Sequence, residues 1–143
     1  MSLELYVGPM FSGKTTKALE IIENCEKEGI PAFCITSNID VRYAKDGGEI
    51  VSHNRISHYA ISVENLYSVI YNNDFKVSEY IIIDEAQFFP DLKKFVLECV
   101  EKYGKTVVCF GLDGDSDREK FGQILDLIPH CDSITKLLSL IHI

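Results

Sequence analysis

The sequence predicts an α/β fold, a three-layer sandwich whose mainly parallel central sheet is covered by helices on both faces. Three observations predict it. Short apolar runs of strand length alternate along the chain with segments of helical periodicity. The strand runs are nearly continuous in apolar residues, as suits strands buried on both faces. Finally, residues 8–15, GPMFSGKT, directly follow the first apolar run and match the phosphate-binding loop pattern G-x-x-x-x-G-K-[ST] in full.

Taken in order, Leu3–Val7 reads as the first strand. After the loop, TKALEIIENCEKEG reads as a helix with Ala18, Leu19, Ile22 and Cys25 on one face, stopped by Gly29. PAFCITS, residues 31–37, is the second strand. Residues 38–60 are polar, carry two adjacent glycines and read as a long loop with room for a hairpin. ISVENLYSVIYNN, residues 61–73, is expected to be a helix with a stripe through Leu66, Val69 and Ile70. YIIIDEAQFF opens with a third, fully buried strand. DLKKFVLECVEKYG is a helix with Asp91 near its positive N-terminal end. TVVCFGLDG is a strand running into a loop, DSDREKFGQILDLIP a turn and short helix, and SITKLLSLIHI a final apolar strand. The chain stops with that strand, which reads either as a short edge closing the fold or as a truncation.

The 143 residues suit one domain, 1–143, and show no internal repeat or low-complexity tract. A formal charge of −8 argues against a nucleic-acid partner, whose backbone demands clustered Lys and Arg. It leaves a nucleotide open, since a local nest and one lysine bind phosphate on an acidic protein. No apolar run has membrane-spanning length, and the start MSLEL lacks the pattern of an export signal. The cysteines, Cys25, Cys34, Cys99, Cys109 and Cys131, are dispersed and odd in number, with no C-x-x-C pair. They read as free thiols in a reducing compartment, and the expected location is cytoplasmic.

The chemistry centres on the loop. The backbone N–H groups of Gly8, Met10, Phe11, Ser12, Gly13, Lys14 and Thr15 can converge on terminal phosphates, with Pro9 in the loop and Thr16 behind it. The helix N-terminus adds its field, Lys14 reaches the β and γ oxygens of a nucleoside triphosphate, and the Thr15 hydroxyl reaches Mg2+. In YIIIDE, Asp84 stands at the carboxyl end of a buried strand, where ligands bind in open α/β sheets, and reads as the carboxylate on the Mg2+ side. Glu85, one residue on, either accepts a proton from a substrate hydroxyl or a water, or else caps a helix or sits in solvent. Asp40, Arg42, His53 and Arg55 form a polar group in the middle loop that equally suits a solvated face. The glycines and aromatics of FGLDG and EKFG suggest a substrate wall. Phe88, Phe89, Leu112 and Phe121 suit an apolar slot or the core.

Together GPMFSGKT, DVRY, IDEAQFF, LDG and KFG followed by ILDLIP resemble a thymidine kinase of the cellular and poxvirus type, over residues 3–140. The resemblance implies a P-loop NTPase-type fold and transfer of the ATP γ-phosphoryl group to the 5′-hydroxyl of thymidine. It implies that Glu85 is the general base and that Lys14 and Thr15 are the phosphate and Mg2+ ligands. Asp84 becomes the carboxylate beside the base. Asp40 acts on the metal through water, and Arg42 offsets charge on the transferring group. Met10, Phe88, Leu112 and Phe121 surround the thymine ring. A homodimer or homotetramer is implied as well.

Two departures from the family pattern stand out. Where the family has an aromatic residue after LDG-x, this chain has Ser116, which makes one wall of the base pocket smaller and more polar. The family's C-terminal zinc-binding lasso region has no counterpart here, and isolated thiols do not assemble a zinc site, so neither zinc nor the lasso is expected. The loop motif by itself serves a nucleoside kinase, an ATPase acting on another substrate, or a nucleotide-binding interaction protein. The resemblance favours the first.

Overall fold

The computed structural model describes residues 2–8, 13–37, 59–111 and 123–137. Six strands form one sheet: β1 (Ser2–Val7), β2 (Ala32–Ser37), β3 (Ala60–Val63), β4 (Tyr80–Ile83), β5 (Thr106–Gly111) and β6 (Ser133–Lys136). Their order across the sheet is β3-β2-β4-β5-β1-β6, and every neighbouring pair is parallel. The helices are α1 (Lys14–Glu28), α2 (Asn73–Val77) and α3 (Leu92–Glu101), with 3-10 turns at Leu66–Val69, Ala86–Phe88 and Ile124–His130. Because all the strands run one way, every carboxyl end lies on the same rim of the sheet.

Side-chain alternation divides the sheet into two cores. Leu3, Leu5, Val7, Ile35, Ile81, Ile83, Val107 and Cys109 face α3, α2 and the 3-10 turns, where Phe75, Phe95 and Leu66 pack. Cys34, Ile82, Val108 and Phe110 face the other way, onto Ala18, Leu19 and Ile22 of α1. Burial on both faces explains why the strands read as unbroken apolar runs. Helix α1 ends as its sequence demands. Gly29 adopts a left-handed φ of 71°, and the N–H groups of Gly29 and Ile30 close onto the carbonyls of Glu26 (3.2 Å) and Cys25 (2.9 Å).

The helix expected over residues 61–73 is not formed. Ala60–Val63 instead pairs with β2 as an edge strand, with Ile35 opposite Ile61 and Ser37 opposite Val63. Asn65 is extended, Leu66–Val69 makes a 3-10 turn, and Asn72 caps α2 by accepting from the N–H groups of Asp74 (2.8 Å) and Phe75 (3.3 Å). The stripe is nevertheless used: Leu66 and Val69 are buried and Ile70 packs at the margin, because a 3-10 turn also brings i and i+3 onto one side. The β-branched Ile61 and Val63 gain more from an open ladder on β2 than from a helix.

Asp91 occupies the N-cap position of α3, but its side chain serves a different element. Its two carboxylate oxygens accept from Leu66 N–H (3.1 Å) and Tyr67 N–H (3.0 Å), capping the 3-10 turn. Asp91→Ala is expected to lower stability by roughly 2 kcal/mol, read from the urea midpoint at unchanged slope, since two N–H groups lose a charged acceptor.

The C-terminal expectations need one correction. The short helix expected near residues 115–129 is, in its described part, the 3-10 turn Ile124–His130, with Pro129 inside it and Ile124 and Leu127 buried. Of the final apolar strand, the described part is β6, an edge strand as one of its two readings had it, with all four residues exposed. It is held to β1 by pairing and by Leu3 N–H donating to Asp132 Oδ2 at 2.8 Å.

All five cysteines are free, four of them buried and Cys131 half-buried. Burial, with Glu98 adding and Lys105 opposing, pushes the Cys99 thiol up to about 12. Burial raises Cys34 and Cys109 still further, Cys34 also feeling the charge of Asp84. Among the described residues no helix is long and apolar enough to cross a membrane.

Candidate active site

The site is built on the rim where β1, β5 and β4 end side by side. On leaving β1, Gly8 donates its N–H to the carbonyl of Gly111 at the end of β5 (3.2 Å). Residues 9–12 lie outside the described residues. Gly13 then opens α1 with φ 88°, and a Cβ there would meet nothing within 4 Å. Conformation, not space, is what requires glycine at that position. Lys17 N–H closes the first turn onto Gly13 O at 3.0 Å.

The first turn of α1 carries no acidic residue, so nothing on the helix itself cancels the positive field of its N-terminus. Lys14 stands at that turn with its Nζ donating to Gly8 O at 3.1 Å, spanning the two ends of the loop. Thr15 is half-buried beside it and Thr16 exposed. These are the parts of an anion site.

Two strands away, Asp84 follows β4. It is buried, and its N–H extends the sheet by donating to Ile35 O at 2.8 Å. Its charge contributes, after burial, to raising the Cys34 thiol. Glu85 then turns the chain away from the sheet with φ 54° and ψ 44°. Among the described residues it is the one non-glycine with a positive φ. Such a backbone costs about 1–2 kcal/mol, and strain of this kind concentrates at functional sites. The 3-10 turn Ala86–Phe88 begins there, closed by Phe88 N–H donating to Glu85 O at 3.1 Å.

The structure therefore brings Lys14 and Thr15 to one rim with Asp84 and Glu85. Phe88 is half-buried next to them, whereas Phe89 is a core residue, 1% exposed, so it does not belong to a ligand slot. Pro9, Met10, Phe11, Ser12, Asp40, Arg42, His53, Arg55, Leu112, Ser116 and Phe121 lie outside the described residues.

The donor set suits Mg2+: a hydroxyl at Thr15 and a buried carboxylate at Asp84 are hard oxygen ligands. Among the described residues there is no group of three or more His, Cys, Asp or Glu placed to hold a metal. Mg2+ bound through one or two protein oxygens and the substrate's phosphates requires no such cluster.

Two further residues, Gln87 within IDEAQFF and Gly111 within FGLDG, lie between the parts of the site. Gln87 is buried in the turn after Glu85, and Gly111 lies between the two halves of the site. A glycine at the end of an apolar strand was the one legible signal, and it pointed only to a substrate wall.

Fold and site together define an α/β P-loop nucleotide-binding protein. The thymidine kinase family matches residues 1–142, and the chain belongs to that family. It is 40% identical over 141 residues to thymidine kinase a of Arabidopsis thaliana, covering 95% of this chain and 58% of that protein. It is 36% identical to the thymidine kinase of Yaba monkey tumor virus, covering 94% of this chain and 71% of that one. The chain thus spans little more than half the length of the plant relative. In architecture it is similar to the flagellar accessory protein FlaH of Methanocaldococcus jannaschii, with a TM-score of 0.58 at 11% identity over 94% of this chain and 70% of that one. That likeness concerns the fold alone.

Proposed function

We propose that the chain is the phosphoryl-transfer domain of a thymidine kinase, with ATP as donor and the thymidine 5′-hydroxyl as acceptor. One observation carries the reading: in a chain of this family, the Lys14 loop and the strained Glu85 turn end on opposite sides of a single strand, β5. Donor phosphates on the loop and a hydroxyl at Glu85 then share one rim.

In the reaction, the Glu85 carboxylate takes the proton of the 5′-hydroxyl as that oxygen attacks the γ-phosphorus. The bond from that phosphorus to the bridging oxygen breaks, and ADP leaves with the bond's electrons. Lys14 and the N-terminal field of α1 hold the phosphates in line and offset their charge. Thr15 and Asp84, with Asp40 acting through water, would hold Mg2+, which would supply charge neutralisation on the phosphate oxygens. Arg42 is assigned to the transferring group. Met10, Phe88, Leu112 and Phe121 are assigned to the thymine ring, with Ser116 loosening base preference. A cytoplasmic homodimer or homotetramer without nucleic-acid contacts completes the reading.

The test is ADP release from Mg-ATP by this chain with and without thymidine. Thymidine-stimulated release supports the kinase. Equal release without nucleoside supports an ATPase, and ATP binding without turnover supports a nucleotide-binding role.

A further inference from the structure

Strand β5 separates the two halves of the site, and its last residue touches both. On one side the Gly111 carbonyl accepts the N–H of Gly8, the first residue of the phosphate loop, at 3.2 Å. On the other side Gln87 packs against the Gly111 α-carbon. A Cβ built there would lie 2.6 Å from Gln87 Oε1, 2.7 Å from Ile124 Cδ1 and 3.5 Å from Gln87 N. The first two separations are shorter than real Cβ contacts, and both neighbours are side-chain ends, so a Cβ at 111 would displace Gln87 Oε1 and Ile124 Cδ1 from where they now lie. No positive φ explains the residue, since Gly111 is not among the left-handed glycines.

Gln87 itself is 8% exposed and sits inside the 3-10 turn that starts from Glu85. Glu85 is held in a narrow left-handed well, so the direction of its carboxylate follows the roll of that turn.

We propose that Gln87 and Gly111 are a positioning pair, which sets the Glu85 carboxylate in register with the phosphate loop through the end of β5. Gln87 touches neither substrate in this role and acts through Glu85. The inference rests on Glu85 being the general base. Small displacements matter there, because misplacing a reacting group by about 1 Å costs roughly 10²-fold in rate.

The experiment uses the whole chain with Mg-ATP and thymidine, measuring kcat, KM for ATP and the melting temperature. Gln87→Ala and Gly111→Ala are each expected to lower kcat by roughly 10²-fold, with KM for ATP changed by less than about threefold. The double variant is expected to be no worse than either single one, since both remove the same seat.

Gly111→Ala/Ile124→Val removes the Cδ1 contact and separates fit from function. Its melting temperature is expected to recover while kcat stays low, because Gln87 remains displaced. Recovery of kcat together with stability, or additive losses in the double variant, overturns the positioning role. Glu85→Gln runs in parallel. If it abolishes turnover while Gln87→Ala and Gly111→Ala turn over normally, the inference alone falls. If turnover ignores Glu85→Gln, the base assignment falls and takes the inference with it.

Discussion

Glu85→Gln is expected to cut thymidine-dependent ADP release by roughly 10²–10⁴-fold, the usual contribution of a positioned general base, and to leave ATP affinity unchanged. The substitution keeps the side chain's size and shape and removes only its capacity to take a proton. It also keeps the backbone cost, because glutamine suffers the same left-handed strain at φ 54° as glutamate. Any effect therefore reports chemistry and not folding.

Glu85→Gly separates the two contributions from the other side. It relieves the strain, so stability is expected to rise by about 1 kcal/mol while turnover is lost. A stable, ATP-binding and inactive Glu85→Gly variant would show that the strain is tolerated because the carboxylate must leave β4 in that direction. Full activity in either variant would place the proton acceptor elsewhere.

Lys105→Met is expected to be the most damaging substitution away from the site, lowering stability by roughly 3 kcal/mol and the melting temperature by about 10 °C. Lys105 is only 6% exposed at the start of β5, and its Nζ donates to the carbonyls of Phe75 (3.0 Å), Lys76 (3.1 Å) and Ser78 (2.7 Å). Those carbonyls end α2, where Phe75 O also accepts the Ser78 N–H (3.3 Å) and the ammonium serves all three at once. The ammonium also lies 4.9 Å from the centroid of the Phe75 ring.

Three charge-assisted bonds at about 1.5–3 kcal/mol each would suggest a larger loss. Methionine, however, keeps the stem's packing and removes the cost of burying a charge, which lowers the net figure. Burial, opposed by the nearby Cys99, lowers the Lys105 pKa. The unfolded chain, with an ordinary lysine near about 10.4, then holds that proton more tightly than the folded one. The cost of the buried charge is present in full at neutral pH and fades as pH rises through the lowered folded value toward the unfolded one. Wild type is therefore expected to gain stability on Lys105→Met across that alkaline window, as denaturant midpoints would show.

Much of this was legible along the chain. The phosphate loop is contiguous, and Gly13 and Gly29 both hold the left-handed φ that their places in the pattern require. The inner strands β2, β4 and β5 declared themselves because burial on two faces leaves no polar alternation to mask them. Asp84 and Glu85 were legible because they follow such a strand without interruption. Phe89, by contrast, had the same composition as a slot residue and proved to be core, since apolar side chains look alike until their neighbours are known.

What the sequence by itself determined was therefore whatever a short stretch of backbone decides: strand, loop, cap, and the residues of each motif. Only the tertiary structure decided the pairing of Ile61–Val63 on the edge of β2, the turning of Asp91 toward Leu66 and Tyr67, and the burial of Lys105 under α2. It also decided that β5 lies between the two motif strands, so that Gly111 stands between the phosphate loop and the Glu85 turn. The physical reason is common to all four. Local preferences are fractions of a kcal/mol per residue, whereas satisfying a buried carbonyl, an open strand edge or an orphan N–H is a matter of whole kcal/mol, and those partners come from tens of residues away.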